Sequence, residues 1–121
     1  MILIDTSVWI DFLRGGGPLI DLLKRNEVLI HAFVIGELAC GNLPRRKSTI
    51  QFLQELPIVK TVGTNDVLHF IEKHSLMARG IGYVDVHLLA AAASNTCQLF
   101  TRDKRLRAMA ERLSLAYPQR D

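Results

Sequence analysis

Residues 1–13 constrain the fold most, because they join a short apolar run to a carboxylate and then to a helix. Ile2–Ile4 is apolar and partly β-branched without alternation, which is typical of a strand buried on both faces in a parallel sheet. Residues 6–13 then offer two hydroxyl groups followed by apolar side chains at helical spacing. Asp5 is therefore expected where a buried strand ends and a helix begins, the place at which open α/β sheets bind ligands.

Asp5 itself has two interpretations at this point. A carboxylate within so much apolar sequence is costly to desolvate unless something positive meets it, and no lysine or arginine precedes Arg14. A metal ion is one such partner. The other interpretation is that Asp5 caps its own helix, and this stretch alone does not separate the two.

The composition predicts a compact globular protein. The chain of 121 residues is 49% hydrophobic and 22% charged, so we expect one domain, over residues 1–121, that buries about two thirds of its unfolded surface. Residues 1–13 do not resemble a secretory signal, and no apolar run reaches the roughly 18 residues that cross a bilayer. We expect Cys40 and Cys97 to be reduced core thiols and the protein to be cytoplasmic.

The net charge of +3 is compatible with a nucleic-acid partner, but many basic proteins bind none. The positive charges are clustered. Arg45, Arg46 and Lys47 form one group, and five further lysines and arginines follow between residues 102 and 112. Each group is either a binding surface or a solvated face, and the sequence leaves the role of the first group open.

Predicted strands and helices alternate along the chain, which indicates a parallel sheet with helices on both faces. Apolar spacing and turn residues place further strands at 28–30 and 99–101, an extended segment at 58–62 and a possible edge strand at 115–117. They place helices near 19–26, 34–41, 45–56, 66–78, 83–93 and 104–113. We expect Ile20, Leu68 and Ala78 to face inward, and His31 to be a core or strand-end histidine.

Three further acidic residues lie, like Asp5, next to apolar segments. Glu37 lies within a small, apolar helix that offers no second charge, so we expect it to be buried for a functional reason. Asp85 opens an alanine-rich helix and shares the inward face of Leu89 and Ala92, although it also has the position of a helix cap. Asp103 follows a buried strand, as Asp5 does. The carboxyl ends of parallel strands meet at one edge, so these side chains are expected in one crevice.

Such a cluster predicts a metal-dependent hydrolase. Three or four carboxylates in a partly dry site repel one another strongly unless a divalent cation is bound, and oxygen ligands favour Mg²⁺ or Mn²⁺ over zinc. A carboxylate-bound Mg²⁺ with open water positions suits phosphodiester hydrolysis. The chain has no Ser-His-Asp order, no Cys-His pair and no phosphate-binding loop that would indicate another chemistry.

The four acidic segments resemble those of the PIN-domain ribonucleases, and the length is similar to that of the VapC toxins of toxin–antitoxin pairs. The matching segments are Ile-Asp-Thr-Ser at 4–7, Val-Ile-Gly-Glu-Leu at 34–38, Val-Asp-Val-His-Leu-Leu-Ala-Ala at 84–91 and Leu-Phe-Thr-Arg-Asp at 99–103. The resemblance implies an α/β fold, a PIN-like three-layer α/β/α sandwich with a central parallel sheet. It also implies a metal site of Asp5, Glu37, Asp85 and Asp103 with hydroxyl support from Thr6, Ser7 and Thr101.

Activity and partners also follow from the resemblance. It implies a Mg²⁺-dependent endoribonuclease, with Mn²⁺ as a possible substitute, that forms a homodimer and is inhibited by a VapB-like antitoxin whose C-terminal segment places an arginine among the acids. DNA contact would then be indirect, through the antitoxin. We expect Arg102, Lys104 and Arg105 to position the RNA backbone.

Other classes of protein fit less well. A receiver domain needs an acceptor aspartate after a central strand, but the segment 58–62 contains Lys60 and no acid follows before Asp66. A haloacid-dehalogenase-like phosphatase needs a second aspartate where Ser7 stands. A non-catalytic RNA-binding or partner-binding module would explain the basic groups equally well.

Overall fold

A computed structural model describes residues 1–118, in which three parallel strands form a sheet of order β2-β1-β3. The strands are β1 (Ile2–Ile4), β2 (Val28–Leu29) and β3 (Gln98–Phe100). The register aligns Leu3 of the central strand with Leu29 on one side and Leu99 on the other. Isolated parallel bridges extend the pairing at Ile30–Ile58 and Leu99–Ala116. The predicted parallel sheet is confirmed.

Within residues 1–118, seven helices flank this sheet. They are α1 (Thr6–Leu13), α2 (Leu19–Lys24), α3 (Ala32–Ala39), α4 (Arg46–Glu55), α5 (Thr64–His74), α6 (Tyr83–Ser94) and α7 (Lys104–Arg112). Helix α1 packs on α2 and α3, α3 packs on α4, and α5 packs on α6, which lies against β3. The predicted α/β architecture is confirmed, whereas the single domain over 1–121 stays a prediction because residues 119–121 lie outside the described part.

Burial explains why these segments pair as they do. β1 is buried along its whole length, as its unbroken apolar run predicts. Residues 86–92 of α6 are all buried, because an alanine-rich helix can approach a sheet closely. Helices α1, α3 and α7 each follow a strand, and α6 leads back into β3. The first turns of these four helices therefore lie at the carboxyl edge of the sheet.

Several predicted orientations are wrong. Helix α2 buries Leu19 and Leu22 and leaves Ile20 exposed, and α5 likewise leaves Leu68 exposed. Ala78 lies beyond α5, because the helix ends at His74 and Ser75 adopts a left-handed conformation with φ 52°. Each helix shows only part of its apolar surface to the core, and the sequence does not reveal which part.

The two cysteines differ in environment. Both are free thiols, as predicted, but Cys40 at the end of α3 is exposed and only Cys97 is buried. Burial raises the pKa of the Cys97 thiol. No helix of residues 1–118 is long and apolar enough to cross a membrane.

His31 is fully buried, which confirms its prediction as a core histidine. Its Nδ1 accepts a hydrogen bond from the Phe33 backbone N–H at 2.9 Å and so caps α3. Its Nε2 has no hydrogen-bond partner within residues 1–118. Desolvation, assisted by nearby His87, lowers the pKa of His31 to about 4, so the imidazole is neutral at physiological pH.

Candidate active site

The four predicted acidic residues come from four different elements at the carboxyl edge of the sheet. Asp5 follows β1, Asp103 precedes α7 after β3, Glu37 lies in α3, and Asp85 is the third residue of α6. The negative charges of the other three all raise the pKa of Asp85, so each of them lies within electrostatic range of Asp85. Residues 98 positions apart in sequence thus form one cluster.

Asp5 is the most buried member, with 6% of its surface exposed. Its Oδ2 accepts hydrogen bonds from Ser7 Oγ at 2.8 Å and from Thr101 Oγ1 at 2.7 Å. Although Asp5 has the N-cap position of α1, its side chain makes no capping hydrogen bond. The capping interpretation of Asp5 is therefore wrong, and two hydroxyls instead fix the orientation of the carboxylate.

These hydroxyls also join the ends of the two strands. Thr101 Oγ1 accepts a hydrogen bond from the Asp103 backbone N–H at 3.0 Å, and Ser7 Oγ accepts one from the Arg102 N–H at 3.0 Å. The loop after β3 is thus held against the end of β1, which sets the distance between Asp5 and Asp103. Thr101 is itself buried, and its hydrogen bond to Asp5 is the buried part of this network, which continues to the surface at Arg102.

Thr101→Val tests this network. Valine keeps the shape of threonine but removes one of the two donors to buried Asp5 and the acceptor for the partly buried Asp103 N–H. We expect the free energy of unfolding to fall by about 1–3 kcal/mol in urea denaturation. Thr61→Val, at an exposed loop position, is the control and should leave the urea midpoint unchanged. Equal midpoints for both variants would contradict a supporting role for Thr101.

The other three carboxylates are also held by one oxygen each. Asp103 Oδ1 accepts from the backbone N–H groups of Arg105 at 2.9 Å and Leu106 at 3.0 Å, which caps α7. Asp85 Oδ2 accepts from the Gly82 N–H at 2.9 Å. Glu37 Oε1 accepts from Thr6 Oγ1 at 2.7 Å. The cap interpretation of Asp85 is confirmed, but capping occupies only one of its oxygens.

Each of the four carboxylates therefore retains a second oxygen, and no residue of 1–118 donates a hydrogen bond or forms an ion pair to it. An all-oxygen donor set of this kind fits a hard cation such as Mg²⁺ or Mn²⁺. As the side chains stand, no three acidic, histidine or cysteine ligands of the described residues already surround one point. A bound cation would reduce the mutual repulsion of these carboxylates.

The pKa of Asp85 depends on the other carboxylates of the cluster. Burial raises its pKa, the Gly82 hydrogen bond opposes that effect, and the charges of Asp5, Asp103 and Glu37 raise the pKa further. Glu37 differs from its prediction, because it is exposed rather than buried. Val34 and Leu38 of the same helix are buried, whereas Glu37 and Phe33 are exposed.

The three basic residues that are predicted to contact RNA lie in different surroundings. Arg102 forms an ion pair with Asp11 of α1. The Arg105 side chain lies over Gly80, where φ is +76° and a Cβ atom would come within 2.8 Å of Arg105 Cδ. Lys104 is exposed. Arg46, whose role the sequence leaves open, donates to the backbone oxygens of Ala39 and Gly41 and thus caps α3.

A groove that the sequence analysis did not predict opens beside Glu37. Its volume is about 300 Å³, and its lining combines the polar residues Thr6, Arg14, Glu37 and Asn42 with apolar side chains of α1, α3 and the following loop: Ile10, Leu13, Leu38, Leu43 and Pro44. The available signal was the exposed face of α1, where Ile10 recurs one turn after Thr6. Only the packing of α1 against α3 turns that face into a groove.

The chain matches the model of the PIN domain over residues 2–112. It is 41% identical over 110 residues to Ribonuclease VapC32 of Mycobacterium tuberculosis, and the match covers 89% of both chains.

Solved structures share the fold at low identity. The structure of FitAcB from Neisseria gonorrhoeae matches with a TM-score of 0.64 and 19% identity, over 92% of this chain and 94% of that chain. PAE2754 from Pyrobaculum aerophilum matches with a TM-score of 0.65 and 16% identity, over 93% and 90%. FitAB bound to an IR36 DNA fragment matches with a TM-score of 0.60 and 17% identity, over 92% and 91%.

Proposed function

The chain belongs to the PIN-domain family and, within it, to the VapC-type ribonucleases, and on this basis we propose that it is a Mg²⁺-dependent endoribonuclease, the toxin of a type II toxin–antitoxin pair. The observation that supports this most is the acidic cluster, in which four carboxylates each keep one oxygen without a protein partner. A receiver domain is excluded by the family match. A non-catalytic binding module would not need such a cluster.

Asp5, Asp85 and Asp103 would hold Mg²⁺, with Glu37 binding a second ion or orienting water; Mn²⁺ has compatible ligand preferences. When bound, Mg²⁺ supplies activation of water and neutralisation of charge on the scissile phosphate. The hydroxyls of Ser7 and Thr101 fix the orientation of Asp5 before any ligand arrives. This preorganisation reduces the cost of assembling the site.

Other parts of the chain position the substrate. The first turns of α1, α3, α6 and α7 direct their positive ends toward the acidic edge, which offsets some repulsion among the carboxylates. Arg105 and Lys104 lie at the start of α7, beside Asp103, where their charges can attract an RNA phosphate. Arg102 can contribute only if its ion pair with Asp11 opens, so we assign it a weaker contact.

The chemistry of the product ends tests this proposal. In a water-attack mechanism the RNA 2′-hydroxyl is not the nucleophile, so fragments should contain no 2′,3′-cyclic phosphate. We expect mass spectrometry of fragments from total cellular RNA to show only linear phosphate and hydroxyl ends. Cyclic phosphate formed by the wild-type protein, and absent from a protein-free incubation, would contradict the mechanism.

We further propose that an antitoxin segment occupies the groove beside Glu37. The groove joins apolar side chains to a carboxylate, which suits a segment of apolar residues followed by an arginine. A synthetic peptide with leucines and an arginine should inhibit cleavage, and Ile10→Glu should weaken that inhibition. The same peptide with neutral citrulline is the control; equal inhibition by both peptides would contradict pairing of the arginine with the acids.

The remaining partner and location proposals follow from family membership. We propose a homodimer, for which light scattering should give twice the monomer mass. We propose that DNA is contacted only through the antitoxin, so the isolated chain should not shift a DNA fragment in gel electrophoresis. We propose a cytoplasmic location, where cellular RNA is available as substrate, which fractionation of cells that express the protein would test.

A further inference from the structure

Two large aromatic rings are exposed at the rim of the acidic cluster. Phe33 in the first turn of α3 is 41% exposed, and Tyr83 at the start of α6 is 48% exposed. Both belong to the elements that supply Glu37 and Asp85. Phe52 and several aliphatic side chains are also exposed, so what distinguishes these two rings is their place on the helices that supply Glu37 and Asp85.

The two rings are held in defined orientations by one buried side chain. His87 packs edge-on against Phe33, with ring centroids 4.8 Å apart, and against Tyr83, with centroids 4.6 Å apart. The interplanar angles are 73° and 88°. Buried His31 also packs on Phe33, at 4.9 Å. One side of each ring is thus fixed by packing, while another side faces solvent.

Helix geometry places this aromatic pair next to the acids. Phe33 lies one turn before Glu37 on the same face of α3, a spacing that separates Cβ atoms by about 5–6 Å. Tyr83 begins α6 two residues before Asp85, so the two side chains leave the helix on different sides. His87 contacts both rings, so Tyr83 lies near Phe33 and thus on the Glu37 side of the acidic cluster.

We propose that Phe33 and Tyr83 form a stacking platform for an unpaired RNA base adjacent to the scissile phosphate. The inference deepens the proposed ribonuclease function and depends on it. An aromatic ring contributes affinity for a base of any identity, and it needs a base face that is not covered by neighbours in a duplex. The platform therefore favours single-stranded loops, bulges and ends over paired RNA.

The test measures RNA binding separately from cleavage. Asp5→Asn serves as the background, so that the probe stays intact, and the probe is a short single-stranded RNA that contains the fluorescent base 2-aminopurine. Stacking on the rings should quench this fluorescence in the background protein. Phe33→Leu or Tyr83→Leu should reduce quenching and weaken binding about five- to hundred-fold.

Two controls distinguish stacking from a general loss of structure. Tyr83→Phe keeps the ring and should bind and quench as the background protein does. Phe52→Leu removes an equally exposed ring, 38% accessible, from α4, where its ring packs on Trp9, and should also leave quenching unchanged. A fully paired RNA probe should respond to none of these substitutions.

Unchanged binding and quenching in a Phe33→Leu/Tyr83→Leu double variant would overturn the platform. A double variant with a changed mass in light scattering but unchanged RNA binding would also overturn it, because the rings would then form a contact between two copies of the chain. Failure of the ribonuclease proposal is separately visible. In that case the protein with Asp5 intact would not cut total RNA in Mg²⁺, whatever the rings do.

Discussion

Asp5→Asn is expected to reduce RNA cleavage by more than about 100-fold while the protein stays folded. Loss of a supporting residue around a metal ligand typically costs 10–100-fold in metal affinity or activity, and Asp5 is proposed as a direct ligand. The asparagine oxygen can still accept from Ser7 and Thr101, so the local hydrogen bonds persist. Removing one charge from a crowded acidic cluster also relieves repulsion.

Initial cleavage rates on total RNA, together with thermal denaturation, measure both parts of this prediction. Asp21→Asn is the matched control, because Asp21 is an exposed aspartate on α2 outside the cluster. Its rate should equal that of the wild type. If Asp5→Asn cleaved RNA at the wild-type rate, the site assignment would be wrong. A variant that unfolded would instead reveal a structural role for Asp5.

Acidification below pH 6.5 is expected to destabilise the protein through His31. The pKa of His31 is lowered from 6.5 to about 4 in the folded protein, so the unfolded chain binds more protons between these values. The stabilising contribution of neutral His31 is complete above pH 6.5 and decreases as pH falls toward 4. The shift corresponds to about 3 kcal/mol of unfolding free energy.

Urea denaturation at a series of pH values measures this contribution. Carboxylates also titrate near the lower limit, so the relevant quantity is the difference between the wild type and His31→Asn. Asparagine can cap α3 in place of His31 but does not titrate. We expect a flatter pH dependence for His31→Asn, and no such change for His69→Asn at an exposed position of α5. Parallel curves for all three proteins would refute the assignment to His31.

The positions of Asp5, Asp85 and Asp103 near one edge of the sheet are predictable from the sequence because their determinants are local. Asp5 and Asp103 each follow a buried apolar strand, and Asp85 shares an inward helical face with Leu89. In a parallel sheet, these local positions are sufficient to bring the side chains to one edge. The roles of the four acids as metal ligands stay predictions, although the structure places them together.

The supporting contacts could not be predicted, because they depend on packing between distant segments. Thr101 and Asp5 are 96 residues apart, and their hydrogen bond exists only because β3 lies beside β1. The exposure of Ile20 and Cys40 likewise depends on which side of each helix meets the core. A local pattern identifies the apolar side chains of a helix but not the neighbours that cover them.

Metal dependence of RNA cleavage tests the central claim most directly. Antitoxin-free protein, with its fold verified by circular dichroism, would be incubated with total cellular RNA in Mg²⁺, in EDTA, and in EDTA followed by excess Mn²⁺. The acidic site predicts cleavage in Mg²⁺, none in EDTA and recovery in Mn²⁺. Equal cleavage in EDTA, or intact RNA in all three incubations, would contradict a metal-dependent ribonuclease at Asp5, Glu37, Asp85 and Asp103.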